Sequence, residues 1–188
     1  MKKIRLIIPL MLVMALLVAC GTSESLVVKG TQSLAEGNLT QALAYFQEAV
    51  AEEEDLDIAW RGIGHIRFQQ NDHQGAFDAL INSLDHGAEE SPIVYNLLGV
   101  SAFQLHDFPA TVDLLNRGIS MMQNDPATWP FDVGGDYRDL LQSMMINRLV
   151  ATERMANWSR AYSLIEEYLS IFPDDAEAVR EREFLRSR

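Results

Sequence analysis

Trp60-Arg61-Gly62-Ile63-Gly64, then the turn Asn71-Asp72-His73, then Ala76-Phe77-Asp78-Ala79-Leu80, is the stretch whose reading decides the fold. Trp60, Ile63 and Gly64 are three and four places apart and share one face of a helix; Ala76 and Leu80, four apart, share a face of the next. The layout recurs along the chain. Ala42-x3-Phe46, Ala76-x3-Leu80, Thr111-x3-Leu115 and Ala161-x3-Ile165 form one series, the first offsets being 34 and 35 residues. Upstream stand Leu26-x2-Lys29-Gly30, Trp60-x2-Ile63-Gly64, Tyr95-x2-Leu98-Gly99 and the degenerate Met145-x2-Arg148-Leu149. Between the two series fall Asn38-Leu39, Asp72-His73, Asp107-Phe108 and Asn157-Trp158, each an Asn or Asp that caps or turns the chain followed by a residue that packs under the turn. Every unit therefore reads helix, turn, helix. Small residues (Gly30, Gly64, Gly99, Ala42, Ala76, Ala161) let paired helices approach while large apolar ones fill the remaining space.

This pattern resembles the tetratricopeptide repeat, whose signature is Trp-x2-Leu-Gly-x2-Tyr, then Ala-x3-Phe, then Pro, over about 34 residues. The second unit matches best, with Arg67 in place of the expected aromatic. The resemblance implies an all-α, right-handed superhelical solenoid of about four helical hairpins, in units of about 23–56, 57–91, 92–125 and 139–175 within a repeat domain 26–188. The polar stretch 176–188 is expected to be the capping helix that ends such an array. The fourth unit departs from the spacing. Thr111 and Ala161 are 50 residues apart, and the excess is assigned to an insertion at 126–138. Pro126, Pro130, Gly134 and Gly135 make it a loop, either a tolerant surface insertion or a contact loop presenting Trp129 and Phe131.

At the amino end, Lys2, Lys3 and Arg5 precede an apolar run from Leu6 to Ala19 that closes in Leu17-Val18-Ala19-Cys20. The run is shorter than the roughly twenty residues of a bilayer-spanning helix and contains Pro9, so a cleaved signal segment, 1–19, is expected. The segment resembles the lipobox of bacterial lipoproteins. That resemblance implies that Cys20, the sole cysteine, becomes the first mature residue and carries a diacylglycerol thioether and an acyl chain such as palmitate. Two or three chains make a durable anchor where one does not. Residues 20–25 are then a lipidated terminus and short tether, holding the protein on the extracytoplasmic face of a membrane. Gly21 implies the outer membrane in a two-membrane cell; a Gram-positive cell would carry it on the outer face of its one membrane. Cleavage removes three positive charges and no negative ones, taking the net charge from −12 to −15. Such acidity disfavours nucleic acid and basic-patch attachment to anionic lipid. With its only thiol acylated the chain forms no disulfide.

No catalytic constellation emerges. His65, His73, His86 and His106 are scattered without metal-ligand spacing, and no nucleophile elbow or phosphate loop is present, so neither metal nor cofactor is expected and the chain is not read as an enzyme. Glu52-Glu53-Glu54-Asp55 with Asp57 reads as a solvated acidic turn in preference to a cation site. What remains is the groove formed by the first helices. The repeat register places Arg61, His65 and Gln69 there, with Asn96, Val100, Phe103 and Gln104, and Asn147, Val150, Glu153 and Arg154. Some family members clamp a terminal carboxylate with paired Lys and Asn; only Arg61 and Asn96 resemble parts of that clamp. The expected function is a scaffold that binds a protein or peptide partner at the cell envelope, in assembly of an envelope, pilus or secretion complex. The alternative is a lipoprotein that captures a peptide or other solute.

Overall fold

The computed structural model describes residues 24–124 and 137–188. The signal segment, Cys20 and the loop residues Trp129 and Phe131 lie outside the described residues. Within them the chain forms α1 (Leu26–Ala35), α2 (Leu39–Ala51), α3 (Leu56–Gln69), α4 (His73–Asp85), α5 (Pro92–Gln104), α6 (Phe108–Asn124), α7 (Tyr137–Arg154), α8 (Trp158–Ile171) and α9 (Ala176–Arg186), with no strand among them. No helix of the described residues is long and apolar enough to cross a membrane.

Each hairpin is closed by the same turn. A residue with positive φ ends the first helix, namely Gly37 (78°), Asn71 (60°), His106 (63°) or Ala156 (54°). The next residue's backbone N–H returns to a carbonyl five residues back, as in Asp72 to Arg67 at 2.9 Å and Asp107 to Ala102 at 2.9 Å. That same residue then caps the second helix. Asp72 accepts from Gly75 N–H at 3.0 Å, Asp107 from Ala110 N–H at 3.0 Å and Asn157 from Arg160 N–H at 3.2 Å. The packing residues sit as expected: His73 meets Phe68 edge-on with ring centroids 5.8 Å apart, and Phe108 meets Phe103 likewise at 5.6 Å.

The small residues explain the helix spacing. The Phe46 ring of α2 is held between Gly30 of α1 and Gly62 of α3, where an added Cβ would lie 2.7 Å and 2.5 Å from it. Gly64 admits Leu80 and Gly99 admits Leu115 in the same way. Ala42, Ala76 and Ala161 are completely buried. Arg67, where an aromatic was expected, lies over Gly75 and pairs with Asp72 at 3.4 Å.

Consecutive helices pack throughout, and α1 also approaches α3, α3 approaches α5 and α5 approaches α7. Among the described residues no second helix approaches the next second helix. A stack that converges along its first helices and splays along its second ones curves, with the first helices on the inside. The result is a superhelical solenoid.

Three expectations need correction. The fourth unit does not begin at 139, because α7 starts at Tyr137; Tyr137 and Arg138 of the expected insertion are helical. Part of the excess length is in helices, since α6 has 17 residues against 13 in α4, and α7 has 18 against 14 in α3. Tyr137 Oη donates to the Met122 carbonyl and the Arg138 guanidinium lies 4.7 Å from the Phe172 ring centroid, which holds this extra turn in place. The acidic turn is not simply solvated. Glu54 accepts from Ser25 Oγ and from Val27 N–H, capping α1 from 27 residues away and drawing its carboxyl below the usual range, chiefly through Ser25.

Candidate functional site: the concave face

On α3, Arg61 and His65 are half-buried and Gln69 is exposed, four residues apart on one face, while Gly62, Ile63, Gly64 and Ile66 are turned into the core. The Gln69 side-chain amide lies 2.7 Å from His65 Nε2. Burial lowers the His65 pKa and so favours the neutral imidazole. On α5, Asn96, Val100 and Phe103 are half-buried and Gln104 is exposed. Phe103 is turned to the hairpin end, edge-on to Phe108, so part of its ring is already used in closing the turn. On α7, Asn147, Val150 and Glu153 are half-buried and Arg154 is exposed.

These residues lie on three successive first helices that touch one another, α3 on α5 and α5 on α7. The repeat register therefore assembles them into one continuous row. Arg61 makes no ion pair or side-chain hydrogen bond among the described residues, and Arg154 pairs with no carboxylate at contact distance. The row also holds one acceptor without a donor among the described residues: Asn96 Oδ1 is shielded from solvent and has no hydrogen-bond partner.

Two features had no clear signal in the sequence. Glu153 faces Glu181 of α9. Burial first, then the neighbouring Glu181 carboxyl, push its pKa up to about 7, against a smaller opposing pull from Arg154. The other is Arg148, which stands where Leu98 stands in the third unit. It is 4% exposed, with Nη2 3.0 Å from Glu167 Oε2 and Nη1 donating to Asn116 Oδ1 at 2.9 Å, and it ties α6, α7 and α8 together. The degeneracy of Met145-x2-Arg148-Leu149 is its only trace in the sequence. A second concavity of about 550 Å³ opens between α8 and α9, lined by Trp158, Tyr162, Arg186 and Arg188 among others. Arg188 lies across the Trp158 and Phe184 rings, 5.2 Å and 4.6 Å from their centroids. Among the described residues no three His, Cys, Asp or Glu side chains are grouped as a metal site requires.

No family model matches the chain, and no curated protein does so. Solved structures do. A crystal structure of MamA protein superposes with a TM-score of 0.65 at 14% identity, over 86% of this chain and 79% of that one. The Cut9-Hcn1 structure of the APC/C gives 0.58 at 19% identity over 85% of this chain, which spans only 29% of the length of that chain. The N-terminal domain of stress-induced protein-1 from C. elegans gives 0.56 at 20% identity, over 70% of this chain and 95% of that domain. At such identities the likeness concerns architecture alone. Helix order, turn chemistry, packing and superposition agree that this chain has the tetratricopeptide fold, an all-helical superhelical solenoid.

Proposed function

We propose that the protein is a lipid-anchored, non-catalytic scaffold that binds a segment of another protein along its concave face at the bacterial cell envelope, in the assembly of an envelope, pilus or secretion complex. The observation that carries this reading is the row on α3, α5 and α7. It combines Arg61 and Arg154, which have no ion-pair partner at contact distance among the described residues, with half-buried polar and apolar side chains on helices in mutual contact. An extended or helical peptide offers what the row lacks. Its carbonyls or carboxylates meet Arg61 and Arg154 as charge-assisted hydrogen-bond acceptors. The anchor rests on the basic, apolar and small-residue segments that converge on Cys20.

Crosslinking in the native envelope followed by mass spectrometry tests the partner reading. Arg61→Glu combined with Arg154→Glu is expected to abolish the partner crosslink while helicity and membrane attachment are unchanged. An undiminished crosslink in that folded variant moves the interaction off the concave face, to the Trp129 and Phe131 segment or the convex side.

A further inference from the structure

Most arginines of this acidic chain have partners within it. Among the described residues Arg67, Arg117, Arg148, Arg180, Arg182 and Arg186 each have a carboxylate within 4.0 Å, and Arg188 lies across two aromatic rings. The two arginines of the concave row do neither. Arg61 is half-buried, and Asp57, one turn earlier on α3, is not paired with it. A guanidinium cannot shed its charge, so partial burial without a counter-ion carries a desolvation cost that an arriving anion offsets. On a chain of net charge −12 the row holds two arginines against one carboxyl. That carboxyl, Glu153, is pushed up to about 7 by burial and then by Glu181, so it is partly protonated at neutral pH.

The spacing of the two arginines follows from the repeat. Gln69, Gln104 and Arg154 each stand two residues before the positive-φ residue of their hairpin turn, Asn71, His106 and Ala156, so they occupy one level of the stack. Arg61 precedes Gln69 on α3 by roughly 12 Å of helix rise. Neighbouring first helices touch, and two steps of about 8 to 10 Å separate α3 from α7. Arg61 and Arg154 therefore lie about 20 to 23 Å apart on a diagonal across the row, the span of about six or seven extended residues. Between them stand the half-buried side-chain amides of Asn96 and Asn147 and the half-buried Val100 and Val150. Amides match the free N–H and C=O groups of an extended main chain, whereas a helix uses those groups internally.

We propose that the concave row takes an extended acidic segment whose two Asp or Glu side chains, about six or seven residues apart, pair with Arg61 and Arg154 while the uncharged stretch between them crosses α5. This rests on the proposed binding of a protein segment along the concave face and names the chemistry of that segment.

The test pans the full-length protein, held in non-ionic detergent, against a random displayed library of peptides of about twelve residues, long enough to cover the row when extended. Enriched peptides are synthesised and their affinities measured by fluorescence anisotropy. They are expected to carry two acidic residues at the stated spacing, and replacing either with its amide should weaken binding roughly tenfold. Raising sodium chloride from about 0.05 to about 0.5 M should weaken it as well. Arg61→Glu with Arg154→Glu should remove binding. Arg160→Glu with Arg180→Glu makes the same change in net charge through two exposed arginines of α8 and α9, and should leave affinity within about twofold. Enriched peptides that need Arg61 and Arg154 but bind equally well as amides, or carry no acidic pair at that spacing, overturn the acidic assignment and leave the concave-face reading standing. An equal loss in the Arg160→Glu, Arg180→Glu variant overturns the assignment in favour of bulk charge. Undiminished binding to the Arg61→Glu, Arg154→Glu variant, or a library without enriched peptides, overturns both readings.

Discussion

Glu153 is the residue at which the site and the stability of the fold meet. Its pKa is raised to about 7 by burial and by Glu181, so the folded chain holds a proton there that the unfolded chain, titrating near 4.5, has released. The stabilising contribution is complete below about pH 4.5 and is lost as pH rises through about 7. Glu153→Gln is expected to flatten the fall in melting temperature between those limits and to be more stable than wild type at pH 8. An unchanged slope in that variant would place the coupling elsewhere. Glu54 and Asp175 act in the opposite sense: hydrogen bonds, first from Ser25 and Tyr168 respectively, hold both carboxyls low, and their contribution disappears as pH falls into the acid range. At Gly62 the constraint is steric. Gly62→Ala gains about 1 kcal/mol of helix propensity but drives a methyl into the Phe46 ring, which Gly30 blocks from behind, so a net loss of about 1 to 2 kcal/mol in urea unfolding is expected.

At the scale of elements, the hairpin turns and the α6–α7–α8 junction make separate demands. The four positive-φ turn positions hold Gly37, Asn71, His106 and Ala156, and only glycine occupies that conformation without a Cβ penalty of roughly 1 to 2 kcal/mol. Ala156→Gly is therefore expected to raise the urea midpoint, a gain of about 1 kcal/mol, whereas Ala161→Gly in the buried heart of α8 should lower it. Arg148 is the analogous test between helices. Arg148→Ala leaves Glu167 without its partner and opens space between three helices, at a cost of about 3 kcal/mol. Arg148→Leu combined with Glu167→Leu replaces both partners, and stability within about 1 kcal/mol of wild type is expected, because well-packed apolar replacements of whole buried ion pairs are often neutral. Equal losses in the two variants would show that the ion pair itself, and not the packing, holds the junction.

For the whole molecule, the solenoid and its membrane attachment are separable. Cys20→Ser is expected to abolish incorporation of a palmitate analogue and to release the protein from the membrane fraction, with the helical circular dichroism spectrum unchanged. Continued labelling of that variant would overturn the lipidation assignment. The fold itself was legible in the chain because a repeat states each local instruction several times. Asp72, Asp107 and Asn157 announce caps, Gly30, Gly64 and Gly99 announce close approach, and the stacked geometry follows from short-range chemistry. What the sequence could not reveal is whatever depends on residues distant in the chain meeting in space. Glu54 looked like one acid among five until the fold brought it to Ser25, 29 residues away. Arg148 looked like a lapse in the signature until Asn116 and Glu167 closed around it. The groove residues were placed by register, but that Arg61 finds no partner among the described residues, that Asn96 Oδ1 is shielded and that Glu153 meets Glu181 are consequences of packing. Periodicity determines which face of a helix is buried; only tertiary structure decides which polar groups on the other face find partners, because desolvation and pairing energies depend on distances that no single helix contains.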